Sequence, residues 1–191
     1  YTFSDKKKLS FSITVNGQKV DSKLNKGYFD INRQWKKGDV VQIHFDMEPR
    51  TVKAHPAVVD DRGKVAIERG PIVYCAEWPD NDFSVLSVLL NNKPEFTVEH
   101  KADLLHGINE LKTNAQILSY DAQGRIVPRE VKLTLIPYYA WAHRGSGEMA
   151  VWLPIELRAT KAALPATIAS ESKISASHMV KSISAINDRM I

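Results

Sequence analysis

Cysteine is nearly absent: Cys75 is the only one in 191 residues. A lone thiol excludes an internal disulfide and any thiolate-rich zinc site built from this chain alone. Long apolar runs are also missing, with no stretch approaching the roughly 18 residues a membrane-crossing helix requires. Charge of one sign is scarce. Lys and Arg number 26 against 22 Asp and Glu, a formal +4 spread too evenly to form the basic groove that nucleic acid needs. Methionine does not occur before Met47 and residue 1 is Tyr, so the sequence reads as a piece of a longer chain, and a missing signal peptide says nothing about the parent's location. What remains, 43% hydrophobic and 25% charged, is the mixture of a folded chain with one or two domains.

The dominant pattern has a period of two. Leu9, Phe11, Ile13 and Val15 alternate with Ser10, Ser12, Thr14 and Asn16, as a strand with one dry face does. Asn16-Gly17 then supplies the two positive-φ residues of a tight hairpin turn, with Val20 on the return strand. A second hairpin is predicted from Tyr28-Phe29-Asp30-Ile31, through Trp35 and Lys36-Lys37-Gly38-Asp39, to the alternating Val41, Ile43, Phe45 and Met47.

Further on, Asp60-Asp61-Arg62-Gly63 reads as a turn. Val65-Ala66-Ile67, Ile72-Val73-Tyr74-Cys75 and Val85 to Leu90 are continuous apolar runs suited to strands covered on both faces. Phe96 and Val98, then Val131, Leu133 and Leu135, then Met149, Val151 and Leu153 complete the series. The segment Ala102 to Leu118 is ambiguous, and a short helix is compatible with it.

Repeated short strands without a long amphipathic helix predict an all-β fold, an antiparallel β-sandwich of jelly-roll type, with two packed sandwich units as the extended form. The expected organisation is residues 1–61 as the final strands of a first sandwich and 62–157 as a second. Residues 158–191, rich in Ala, Ser and Thr, read as a linker and the start of a following domain.

Candidate chemistry is thin. A glycosidase needs two opposed carboxylates, and Glu68, Glu77, Asp80 and Asp82 lie near one another in sequence, where solvated acids are the ordinary explanation. Cys75 sits within an apolar run, which favours a buried thiol over a nucleophile. The six histidines are scattered without ligand spacing, so no metal site is predicted. Gly145 and Gly147 lack the lysine and helix of a phosphate loop. Lys6-Lys7-Lys8 and Lys36-Lys37 suit solvated turns or edge strands. In Tyr138-Tyr139-Ala140-Trp141, aromatic faces suit either core packing or sugar C–H surfaces. Tyr139, Trp141, Arg144 and Glu148 are therefore candidates for carbohydrate binding or a domain interface.

Two long strings carry a resemblance. Val65-Ala66-Ile67-Glu68-Arg69-Gly70-Pro71-Ile72-Val73-Tyr74-Cys75-Ala76-Glu77 with Asp80-Asn81, and Ile136-Pro137-Tyr138-Tyr139-Ala140-Trp141-Ala142-His143-Arg144-Gly145-Ser146-Gly147-Glu148-Met149-Ala150-Val151-Trp152-Leu153, resemble the C-terminal part of glycoside hydrolase family 127, the β-L-arabinofuranosidase-type enzymes. Val15-Asn16-Gly17, Gly27-Tyr28 and Trp35-Lys36-Lys37-Gly38-Asp39 are similar to the sandwich preceding it, so the resemblance spans about residues 8 to 157. It implies a catalytic (α/α)₆ barrel upstream, with a zinc-bound cysteine nucleophile and a glutamate. None of those residues maps onto this chain.

The role implied by the resemblance is a non-catalytic accessory region without its own cofactor. It would support that barrel and supply a homodimer contact; a carbohydrate-binding module for arabinose-containing glycans is the alternative. By the same resemblance the parent is an exported bacterial hydrolase, periplasmic or extracellular, with a cytoplasmic enzyme as the alternative. The tail from Lys173 to Asp188 is similar to the start of a discoidin-like sandwich.

Overall fold

The computed structural model describes residues 1–4, 10–21 and 24–163. The lysines 6–8 and most of the expected linker, residues 164–191 with the discoidin-like tail, lie outside the described residues. Within them the protein is all-β, and its helical pieces are single 3₁₀ turns of three residues.

The strands are β1 (Thr2–Phe3), β2 (Phe11–Val15), β3 (Gln18–Lys19), β4 (Leu24–Asn25), β5 (Tyr28–Phe29), β6 (Val41–Phe45) and β7 (Pro49–Lys53), followed by β8 (Lys64–Arg69), β9 (Ile72–Glu77), β10 (Val88–Leu90) and β11 (Thr97–Lys101). The series ends with β12 (Ile108–Tyr120), β13 (Ile126–Pro137), β14 (Met149–Ala150) and β15 (Leu153–Pro154). All pairs between these strands are antiparallel. Three sheets result: a large one ordered β1-β7-β8-β9-β13-β12-β10, with β11 on β12, β14 on β9 and β15 on β8; a small one ordered β3-β2-β6; and the ribbon β4-β5.

Local chemistry explains the first turn. Thr14 faces Lys19 and Val15 faces Gln18, with Asn16 at φ 53° and Gly17 at φ 76°, the conformation that keeps the strand twist continuous. The second predicted hairpin does not form. β5 pairs with β4, while β6 crosses to β2 in the register Ile13↔Ile43 and Val15↔Val41. That register stacks like residues on one face, and Asn16 secures it by accepting the Val40 N–H at 2.9 Å and donating to Asp39 at 2.9 Å.

Residues 108–120 form the longest strand rather than a helix. β12 has β13 along one edge and β10 and β11 in succession along the other, and both of its faces are partly covered. Its burial alternates from Leu111 to Ile117 but shifts phase at Glu110-Leu111 and at Ile117-Leu118, where consecutive residues are buried, so no single period runs through the whole strand.

The large sheet also runs across residue 61, because β1 and β7 pair into it ahead of β8. Its curl encloses a main core of Val65, Ile67, Tyr74, Val85, Val88, Leu111, Leu133, Leu135 and Leu153. A smaller cluster of Cys75, Ile108, Ile136 and Ala140, with Leu104, Leu105, Met149 and Val151 against it, lies apart. Gly70, at φ 57° in the β8–β9 turn, abuts Met47 and the Asp46 carbonyl so closely that a Cβ would overlap the Met47 sulfur.

Candidate functional site

The two strings of the sequence analysis meet in space. β9 ends at Glu77 and enters the 3₁₀ turn Trp78–Asp80, where Pro79 presets φ. β13 ends at Pro137 and turns through Tyr138–Ala140. The chain then folds back over the first turn, the Trp78 N–H donating to the Glu148 carbonyl at 3.0 Å, and enters β14 beside β9. Gly147 permits the wrap, since any Cβ there would occupy the place of the Trp78 indole.

Arg144 ties the two segments. Its Nη1 and Nη2 donate to the two oxygens of Asp80 at 2.6 Å, and Nη2 also donates to Glu77 Oε2 at 2.5 Å. Glu77 is only 1% exposed, and its other oxygen accepts the N–H of Ala142 at 3.0 Å. Ala142 is held at φ 67°, a left-handed conformation that alanine adopts at a cost. A forked guanidinium between two carboxylates fixes direction as well as distance. Donating to Asp80, and then to Glu77, raises the pKa of Arg144 against the opposing effect of burial. Glu148 is engaged too, accepting the Val85 N–H at 3.1 Å.

Asn81 completes the clamp. β13 pairs with β9 only at Ile136↔Cys75 and Pro137↔Tyr74, so one edge of β13 is left open at Thr134. Asn81 closes it: Oδ1 accepts the Thr134 N–H at 3.0 Å, and Nδ2 donates to the Thr134 carbonyl at 3.1 Å and to the Glu77 carbonyl at 2.9 Å. The carboxamide thus stands in for a peptide group of the missing neighbour strand.

The four candidates from the sequence divide by chemistry. Arg144 and Glu148 face inward to protein partners, whereas Tyr139, 64% exposed, and Trp141, 37% exposed, face outward. Tyr138 and Trp141 stack with ring centroids 5.8 Å apart and 12° between planes. Sequence reasoning did not single out Asp80 and Asn81 for structural roles. Their partners lie 64 and 53 residues away, and only the Pro79-Asp80-Asn81 turn signal is local.

Cys75 is fully buried opposite Ile136. Burial, with the negative charges of Glu77 and Asp80 adding to it, pushes its pKa up to about 12. A neutral, enclosed thiol is a poor nucleophile. Native protein at about pH 7.5 is therefore expected to resist a thiol-reactive disulfide reagent and to give one full equivalent of labelling in denaturant; rapid labelling of the native state would contradict the burial.

Among the described residues no group of three His, Cys, Asp or Glu side chains converges in a metal-binding arrangement. A cavity of about 580 Å³ opens beside β7 and is lined by Thr51, Lys53, Val65, Lys93, Phe96 and Ile155, among others, with no acidic residue among its described lining residues. The described lining therefore supplies no carboxylate pair for glycoside hydrolysis.

Comparison with known proteins matches residues 49–154 to the glycoside hydrolase family 127 C-terminal domain and residues 6–47 to the beta-L-arabinofuranosidase GH127 middle domain. A non-reducing end beta-L-arabinofuranosidase from Bifidobacterium longum subsp. longum is 34% identical over 159 residues, covering 75% of this chain and 24% of that protein. A solved GH127 beta-arabinofuranosidase superimposes with a TM-score of 0.74 at 60% identity, over 85% of this chain and 26% of the other. A GH127 beta-L-arabinofuranosidase from Geobacillus stearothermophilus T6 gives 0.64 at 37% identity, over 76% and 24%. The chain thus spans about a quarter of the length of these relatives.

Proposed function

This chain belongs to glycoside hydrolase family 127, as a non-catalytic part of a larger glycoside hydrolase, and from that premise we propose that it is the scaffold on which the parent's catalytic barrel rests. The parent activity this implies is that of a β-L-arabinofuranosidase, with any zinc chemistry confined to the barrel.

One observation carries the scaffold reading. Ile13 and Val15 on β2 are 6% and 2% exposed, yet their cross-strand partners on β6, Ile43 and Val41, are 54% and 45% exposed. Directly opposed residues share a face, so one apolar surface is covered over β2 and open over β6. Among the described residues β6 is also an edge strand of its sheet. An open apolar face on an unpaired edge is a docking surface or an aggregation hazard, and the upstream barrel is the occupant we assign to it.

The test is Ile43→Asp in the full-length parent and in this chain alone. Burying a charge in a docked apolar face is unfavourable, whereas an exposed site tolerates it. The thermal half-life of parent activity should fall by about tenfold or more, while the isolated chain melts within about 1 °C of its original temperature. Equal effects on both would place Ile43 in an internal core, and no effect on the parent would remove the docking role.

A further inference from the structure

We propose that the loop 138–147, with the neighbouring turn 104–107, forms a binding platform for a neutral sugar residue. This inference is independent of the scaffold reading, which rests on a different sheet.

Backbone strain marks the place. Among the described residues, five other than glycine have positive φ: Asn16, Lys26, Leu105, His106 and Ala142. Asn16, Lys26 and His106 each precede a glycine in a turn joining paired strands, where this conformation is routine. Leu105 and Ala142 belong to adjoining loops. Leu104 and Leu105 pack on the cluster that contains Ala140, two residues before Ala142. Left-handed non-glycine residues persist only where the surroundings over-determine them, and they concentrate at ligand sites.

Chemistry selects the ligand. The two Nη nitrogens of Arg144 are matched by Glu77 and Asp80, and Glu148 by the Val85 amide, while the Arg144 Nε is buried without a partner. The exposed set is instead Trp78, Tyr138, Tyr139, Trp141, His106 and His143. An anionic ligand finds no accessible guanidinium N–H there, since the unpartnered Arg144 Nε is buried. A neutral sugar presents an apolar C–H face for an aromatic ring and a rim of hydroxyls for phenol, indole and imidazole groups. The platform is also preorganised, because Arg144 anchors the loop from beneath and Tyr138 stacks on Trp141; fixed aromatic side chains lose little entropy on binding.

The experiment is a tryptophan-fluorescence and calorimetric titration of the 191-residue chain with a neutral arabino-oligosaccharide, a neutral cello-oligosaccharide and an oligogalacturonate. Saturable binding of at least one neutral oligosaccharide is expected, weakened about tenfold by Tyr139→Ala and by Trp141→Ala, and retained by Ile43→Asp. Tyr139→Ala keeps the test sound if Trp141→Ala unfolds, since Tyr139 is the most exposed of the aromatic group. Absence of saturable binding to both neutral sugars, binding of the oligogalacturonate alone, or affinity unchanged in Tyr139→Ala would overturn the proposal.

Discussion

Arg144→Met should lower the stability of the chain by about 3–5 kcal/mol, the usual cost of removing one partner from a buried ion pair. Glu77 has almost no contact with solvent and the Asp80 side chain is 7% exposed, so neither carboxylate can replace the lost guanidinium with water. The two acids would also repel one another. In a chain of this length that loss corresponds to roughly 10 °C or more in melting temperature. Combining Arg144→Met with Glu77→Gln and Asp80→Asn should restore part of it, because the charges vanish together while the carboxamide oxygen introduced by Glu77→Gln can still accept the Ala142 N–H. Measured by urea unfolding, a loss below about 1 kcal/mol for Arg144→Met would show that the ion pairs are solvated and the loop is held by other means.

Asn81→Ala is expected to cost about 2–4 kcal/mol through a different route. No charge is involved; the substitution leaves the Thr134 N–H and the Thr134 and Glu77 carbonyls without their partner, and each orphaned buried group costs on the order of 1–3 kcal/mol. Asn81→Asp should do no better. A carboxylate can accept the Thr134 N–H but cannot donate to either carbonyl, and it adds a negative charge beside Glu77 and Asp80. Amide exchange read at Thr134 gives the local test: in Asn81→Ala its protection should fall more than that of Leu133 or Leu135. A uniform fall along β13 would mean that the side chain is not capping the open edge.

Much of the architecture could be read from residue order, for identifiable reasons. The Phe11 to Val15 alternation and the Asn16-Gly17 turn are local signals, and they appear as β2, its turn and β3. The Gly70-Pro71 break likewise separates β8 from β9. Pairing between distant strands left no such mark. The Tyr28 to Val41 hairpin fails because β6 finds a better apolar partner in β2 than in the two-residue β5. β12 is harder to read because its alternation, clear from Leu111 to Ile117, shifts phase at Glu110-Leu111 and at Ile117-Leu118.

At the candidate site, residue type alone pointed to Tyr139, Trp141, Arg144 and Glu148 as a group. Only geometry separates the two outward aromatics from the two inward tethers, because that division depends on Glu77, Asp80 and Val85, more than 60 positions away along the chain.

The sealed sulfur at residue 75 has a practical consequence for maturation. With no second thiol to exchange with and no ionised form near neutrality, the finished fold has no handle for glutathione or an oxidoreductase. Refolding yield should be the same in air as under reductant, and the same sheet can mature in an oxidising or a reducing compartment without a change of sequence.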